Sequence, residues 1–215
     1  MKIAIIDISI GNIRSVELAL HRCGADVAIL RDPAGLDEVD GIVLPGVGAF
    51  RAAMECLKSG GFMDPLHSNV VERQKPFLGI CIGMQLIGEG SDEGGQWTDG
   101  LGWLPGHCER LKGGQDCPVP HVGWNDVSVA RFDGLFRGLP DRPHFFFDHS
   151  FAYVGANRDD TVAEVVYGAE RFAAALSRNN IRAVQFHPER SQRDGAALFG
   201  NFVSFTAART KRAVA

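Results

Sequence analysis

No stretch of the 215 residues is apolar for long enough to cross a bilayer. The start of the chain is equally short of what a secretion signal needs. Its apolar run Ile3 to Ile6 is cut off at Asp7, so a first strand is expected there instead. An excess of charge is missing as well. A formal net charge of −4 and a pI near 6.0 offer neither nucleic acid nor an anionic membrane a basic surface. Cysteine is sparse and unpaired in pattern: five residues, an odd count, at irregular spacing, with no pair at metal-ligand spacing. Free thiols in a reducing cytoplasm are the expectation, with no metal site. Repeats, low-complexity stretches and dividing linkers are also absent. One domain over 1–209 is therefore expected, with a short basic tail at 210–215.

What is present suits a sizeable core: 45% of residues are hydrophobic and 22% charged. The 26 glycines fall in several places where strand would turn into helix. In order, the pattern predicts strands at Lys2–Ile8, Asp26–Leu30, Gly41–Leu44 and Phe77–Ile80. Helices are predicted at Arg14–Cys23, Ala49–Lys58 and Phe62–Gln74, the last with Pro65 tolerated in its first turn. After Glu93 the pieces shorten: Leu101–Leu104, Val119–Trp124, Val127–Ala130, Phe145–Tyr153, Thr161–Val166, Phe172–Leu176 and Ile181–Phe186. A closing helix, Arg193–Ala208, would turn Ala197, Leu198, Phe202 and Phe205 inward. The expected fold is three-layer α/β: a mostly parallel central sheet, flanking helices and added antiparallel strands. Ligands of such sheets bind beyond the carboxyl ends of the strands.

Two of those ends carry chemistry. At the first, Gly79-Ile80-Cys81-Ile82-Gly83 places a thiol on a tight strand-to-helix turn. Glycine lets the backbone bend sharply, and the helix N-terminus that follows favours a thiolate. This is the nucleophile-elbow arrangement with sulfur for oxygen. A lone cysteine here would read equally as a small core residue. At the second end, Gln185-Phe186-His187-Pro188-Glu189 closes a strand. Residues two apart in extended chain point the same way, so Glu189 can fix the tautomer of His187 and leave its other nitrogen for the thiol. Thiolate attack on a carbonyl makes an oxyanion. Backbone N–H groups at Gly46, Val47, Gly48 and Ile82 could hold it, each donor worth about 2.7–4 kcal/mol. An ordinary tight loop at 46–48 fits as well.

With these residues the chain resembles the class I glutamine amidotransferases. Leu44 to Phe50, Pro120-His121-Val122-Gly123-Trp124-Asn125 and Gln185 to Ser191 narrow the resemblance to the glutaminase subunits of imidazole glycerol phosphate synthases. Gly11-Asn12 with Ser15, Tyr167-Gly168 and Asn201-Phe202 fit the same pattern. The resemblance covers nearly the whole chain and implies a flavodoxin-like core. It implies Cys81, His187 and Glu189 as catalytic groups that hydrolyse glutamine to glutamate and ammonia, without a cofactor. Gln85, Glu93, His149, Ser150 and Phe151 would bind the glutamine. Glu93 would meet its ammonium, though a solvated loop acid is the simpler reading of that residue alone. Ammonia would pass to a partner, a cyclase (β/α)8-barrel subunit in a heterodimer that serves histidine biosynthesis. Asn12, His121, Trp124, Asn125, Phe146 and Arg190 would lie at or near the docking face, with a core aromatic the competing reading of Trp124.

The chain departs from the family pattern at Ile8, Ser9, Phe146, Asp148, Phe151 and Arg190, positions that bear on docking and gating. Three alternatives follow. One is an ammonia-supplying glutaminase for a sugar-modifying synthase, and another is a stand-alone γ-glutamyl hydrolase. The third is a non-catalytic binding module, against which the intact Cys81, His187 and Glu189 argue.

Overall fold

The first half of the chain alternates strand and helix where its apolar runs require it. The computed structural model describes all residues except Ile10, Asp133 and Ala215, and the side chains as far as Thr210. Strand β1 (Lys2–Ile6) leads to α1 (Ile13–Arg22), β2 (Asp26–Leu30), β3 (Gly41–Gly46) and α2 (Phe50–Ser59). Then come α3 (Met63–His67), β4 (Phe77–Cys81) and α4 (Ile82–Leu86). The second half adds β5 (Gly90–Ser91), β6 (Thr98–Asp99), β7 (His107–Arg110), β8 (His121–Asp126) and β9 (Ser128–Val129). It continues with β10 (His144–His149), β11 (Phe151–Val154), β12 (Thr161–Tyr167), β13 (Glu170–Arg178), β14 (Ile181–Val184) and α5 (Gln192–Val214).

The main sheet has the order β2-β1-β3-β4-β14-β13-β12-β9. Its first five members run parallel, and β13, β12 and β9 extend it antiparallel. Alternate residues of β1 explain the layering. Ile3 and Ile5 pack with Val16, Leu20, Leu198 and Phe202, which puts α1 and α5 on one face. Ala4 and Ile6 pack with Phe50, Met54, Leu57 and Leu66, which puts α2 and α3 on the other. Strands covered on both faces must be apolar at every position, and β3, β4 and β1 beyond Lys2 are. Two smaller sheets, β8/β10 and β11-β7-β5-β6, stand beside the main one. Among the described residues no helix is long and apolar enough to cross a membrane.

Several expectations need correction. Leu101–Leu104 is not a strand. Its backbone N–H groups go to the end of α4, with Leu101 N donating to Leu86 O and Trp103 N to Ile87 O. Those carbonyls lack partners within the helix, so the apolar segment caps it. Phe145–Tyr153 is two strands, because the chain changes partner at Ser150 from β8 to β7. The helix expected at Phe62–Gln74 is α3 followed by a wider π-helical turn over Ser68–Glu72. On α5 the large buried residues are Leu198, Phe199 and Phe202, with Gly195 and Thr206 also buried and Phe205 half-buried; Ala197 is exposed, one position off the inward stripe. The backbone of the expected tail stays helical to Val214, and side chains beyond Thr210 lie outside the described residues.

Candidate active site

Cys81 ends β4 with φ at +53° and ψ at −107°, a conformation an L side chain rarely adopts. Two glycines explain why the chain accepts it. A Cβ on Gly79 would stand 2.5 Å from the Gly83 carbonyl oxygen, and one on Gly83 would stand 1.9 Å from the Leu44 oxygen. The start of α4 therefore lies directly on β3 and β4, and the sharp turn delivers the thiol at their ends. The sulfur is nearly buried. It can donate to the Asp148 carbonyl at 3.9 Å and accepts from Gln185 Nε2 at 3.8 Å.

His187 arrives just beyond the end of the neighbouring strand. β14 pairs parallel with β4, and Phe186 beyond it stacks on Phe145 with ring centroids 3.8 Å apart. His187 N donates to Phe146 O, and Ser191 Oγ donates to His187 O while accepting from Phe146 N. These contacts fix where the imidazole emerges. His187 Nδ1 meets Glu189 Oε1 at 2.8 Å, and both side chains are almost fully buried. Its Nε2 is buried with no hydrogen-bond partner at standard geometry. Cys81 is nevertheless close enough to act on it. Burial alone depresses the ring's pKa, but hydrogen bonding and charge at the Cys81 sulfur and the Glu189 carboxylate outweigh it and raise the pKa to about 10. A looser thiol–imidazole contact that tightens with substrate is ordinary for a resting site. An imidazolium at this spot lowers the cost of a thiolate beside it.

Cys81 opens onto a cleft of about 370 Å³ lined by Gly48, Ala49, Ile82, Gln85, Glu93 and His149 together with Pro120, Asp148, Ser150 and Phe151. Gly46 pairs with Cys81 in the β3/β4 register, which carries Val47 and Gly48 to the cleft's rim. Among the described residues the Val47 and Gly48 N–H groups have no protein acceptor. Gln85 uses both amide hydrogens, on Phe151 O at 2.9 Å and Gln185 Oε1 at 3.2 Å. Glu93 is no idle loop acid: its Oε2 accepts the first N–H of α2, from Phe50, at 2.7 Å. A larger hollow, about 470 Å³ between Asp40, Lys75 and Arg209, lies at the opposite ends of the strands, and its lining has no cysteine or histidine.

The expected docking residues divide. β8 alternates, so Val122, Trp124 and Asp126 face outward while His121 and Asn125 face inward. Trp124, 42% exposed, is therefore not a core aromatic. It stacks on His144 and meets Phe146 edge-on. Arg190 lies over the Phe146 ring at 3.8 Å and pairs with Asp148. Asn12 is exposed at the start of α1. His121 lies behind this face, buried at 3% exposure. It is clamped between Phe147 and Tyr167, with its Nδ1 3.1 Å from His149 Nε2.

Burial lowers the pKa of His121 to about 4 and that of His149 to about 3. Below pH of about 6.5 the unfolded chain protonates both rings and the folded chain does not. Stability therefore falls as pH drops from about 6.5 toward 4, by about 1.4 kcal/mol per pH unit for each ring. Urea unfolding at pH 7 and pH 5 checks this. The variant His121→Phe, which keeps the stacking, should lose about 1–2 kcal/mol less between the two than the parent.

Sequence reasoning passed over Gln185 as a site residue. The signal was its spacing, since a residue two before His187 in extended chain shares its side of the strand; the structure buries that glutamine wholly. Ser191 acts through its hydroxyl on two backbone groups, and Asp148 through its backbone carbonyl, contacts that carry no sequence mark.

The family model for class-I glutamine amidotransferases matches residues 4–205. The chain is 40% identical over 210 residues to the imidazole glycerol phosphate synthase subunit HisH of Synechococcus sp. (strain JA-3-3Ab), covering 97% of this chain and 96% of the relative. It is 44% identical over 200 residues to the HisH subunit of Moorella thermoacetica, covering 93% of each. The structure of a putative GMP synthase subunit from Thermoplasma acidophilum shares the fold, with a TM-score of 0.75 at 21% identity over 100% of this chain and 98% of that one. PurLQS from Thermotoga maritima does so with a TM-score of 0.72 at 20% identity, over 95% and 98%.

Proposed function

The chain belongs to the class-I glutamine amidotransferases, in the branch of the imidazole glycerol phosphate synthase HisH subunits, and from that premise we propose how its cleft works. It is the glutaminase component of an enzyme of histidine biosynthesis. Cys81 sulfur attacks the side-chain amide carbon of glutamine. The oxygen takes up the negative charge, met by backbone N–H groups of Val47 and Gly48, on the loop that Gly46 begins, and of Ile82 at the start of α4. His187 gives its proton to the amide nitrogen, the C–N bond breaks, and ammonia leaves a glutamyl thioester on Cys81. Water then adds to the thioester with His187 taking its proton. The C–S bond breaks, and glutamate and the free thiol are restored. Glu189 holds the tautomer throughout. Gln85 Oε1, Glu93 and the backbone at His149, Ser150 and Phe151 receive the amino-acid end. The observation that carries this reading is the buried His187–Glu189 pair beside the Cys81 sulfur at the ends of adjacent parallel strands.

The ammonia passes to a cyclase (β/α)8-barrel partner, in a cytoplasmic heterodimer. Docking uses the face of Trp124, Phe146 and Arg190 with Asn12, and His121 and Asn125 support that face from within. The half-exposed Arg190–Asp148 pair is worth little by itself, so a partner can rearrange it cheaply. The test measures glutamate release by the chain alone, with the barrel partner, and with the barrel plus its nucleotide. Slow turnover alone and a rise of about tenfold or more in the full mixture are expected, a coupling of about 1.4 kcal/mol. Rapid cleavage of γ-glutamyl peptides by the isolated chain, unmoved by any partner, would replace this reading with the stand-alone hydrolase.

A further inference from the structure

We infer that Gln185 is a hydrogen-bond donor to the nucleophile: its buried amide, locked in one orientation by Gln85, favours the thiolate form of Cys81. Gln185 is 0% exposed and its Nε2 lies 3.8 Å from Cys81 Sγ. The orientation is forced by a chain of partners. Gln85 Nε2 donates to Phe151 O at 2.9 Å, so its second hydrogen faces Gln185 and requires an acceptor there. The Gln185 oxygen takes that place, which leaves its NH2 group toward the sulfur. A flipped Gln185 would set two NH2 groups face to face.

The same carbonyl fixes a second run of protons. Phe151 O accepts His149 Nδ1 at 2.8 Å, so His149 Nε2 is unprotonated and accepts from His121 Nδ1 at 3.1 Å. His121 Nε2 in turn accepts from Asn125 Nδ2 at 3.4 Å, whose other hydrogen goes to Val166 O. Both rings are neutral in this arrangement, and no donor or acceptor along it is free to turn. A neutral thiol gains little from an N–H donor. A thiolate gains a charge-assisted bond, which is roughly twice as strong as a neutral one. The Gln185 contact thus discriminates between the two states of the sulfur, while the Asp148 carbonyl serves only the protonated one.

This inference rests on Cys81 being the nucleophile of the proposed reaction, but its test does not need glutamine turnover. Other titratable or charged groups around the sulfur are His187 and, behind it, Glu189 on the turn after β14; Asp148 and His149 on β10; Glu93 on the loop after β5; and Cys108 on β7. They are common to parent and variants, so differences between their profiles report Gln185. The experiment alkylates the full chain with iodoacetamide across pH, following Cys81 by peptide mass spectrometry. In Gln185→Met, which fills the space with no donor and no charge, the midpoint for Cys81 should rise by about one unit, about tenfold in the ionisation equilibrium. In Gln185→Leu it should rise by about one unit. In both, kcat for glutamine should fall about 10- to 100-fold, and KM should rise as well, because Gln85 loses the acceptor that holds it. A midpoint that stays within about 0.2 unit of the parent in whichever variant folds would overturn the inference. Failure of both variants to fold would also overturn it, in favour of a purely structural glutamine.

Discussion

Replacing Cys81 by alanine is expected to lower kcat for glutamine hydrolysis by about 10⁴-fold or more, with stability changed by less than about 1 kcal/mol. The first part follows from chemistry. Without the sulfur no thioester can form, and the cleft is left with its oxyanion donors and substrate contacts alone. The second part follows from the thiol's surroundings. Its two polar contacts are long, at 3.8 and 3.9 Å, and neither leaves a charged group stranded when lost. The backbone twist at φ +53° remains, because alanine keeps a Cβ. A complex with the cyclase barrel should therefore still use free ammonia while failing with glutamine. Normal glutamine use by the assembled Cys81→Ala enzyme would remove the proposed mechanism.

The second large effect is structural. Gly83→Ala should cost about 3 kcal/mol or more in urea unfolding, and activity should fall with it. Helix propensity argues the other way, since alanine in place of glycine gains about 1 kcal/mol in an ordinary helix. Here the added Cβ would sit 1.9 Å from Leu44 O, a backbone atom. β3 is held on both sides, by β1 and by β4, so that oxygen cannot swing away. Either α4 lifts off the sheet or the sheet bends, and both movements displace Cys81. Gly94→Ala is the control. Its φ of +86° makes it mildly strained, but its Cβ would meet nothing within 4 Å. A loss at Gly83 no larger than at Gly94 would show that the close approach of α4 to β3 is not what holds the turn.

The parts of the fold that were legible are those where burial dictates every residue. β1, β3 and β4 are covered on both faces, so they appear as continuous apolar runs between glycines, and the strand–helix alternation follows. β5, β6 and β7 were not legible. Gly90-Ser91, Thr98-Asp99 and His107–Arg110 pair through the backbone and carry no apolar alternation to reveal it. Leu101–Leu104 misled in the opposite direction: its apolar side chains pack under α4, with Trp103 edge-on to Phe77, without any ladder. Phe145–Tyr153 looked like one strand because nothing in its side chains marks the change of partner at Ser150. The Cys81 and His187 positions were readable because strand ends and glycines announce them. The direction of His121 was not, since only the pairing of β8 with β10 decides which side of the ribbon turns inward.

Glu93 connects two places that the chain keeps 43 residues apart. Its carboxylate borders the mouth of the cleft and also grips Phe50 N–H, immediately after the stretch 46–49. In the proposed reaction, an ammonium arriving at that carboxylate would draw on the same charge that anchors this stretch. Occupancy at the head of the substrate would thereby be felt, through a single side chain, where its tail amide is to be broken.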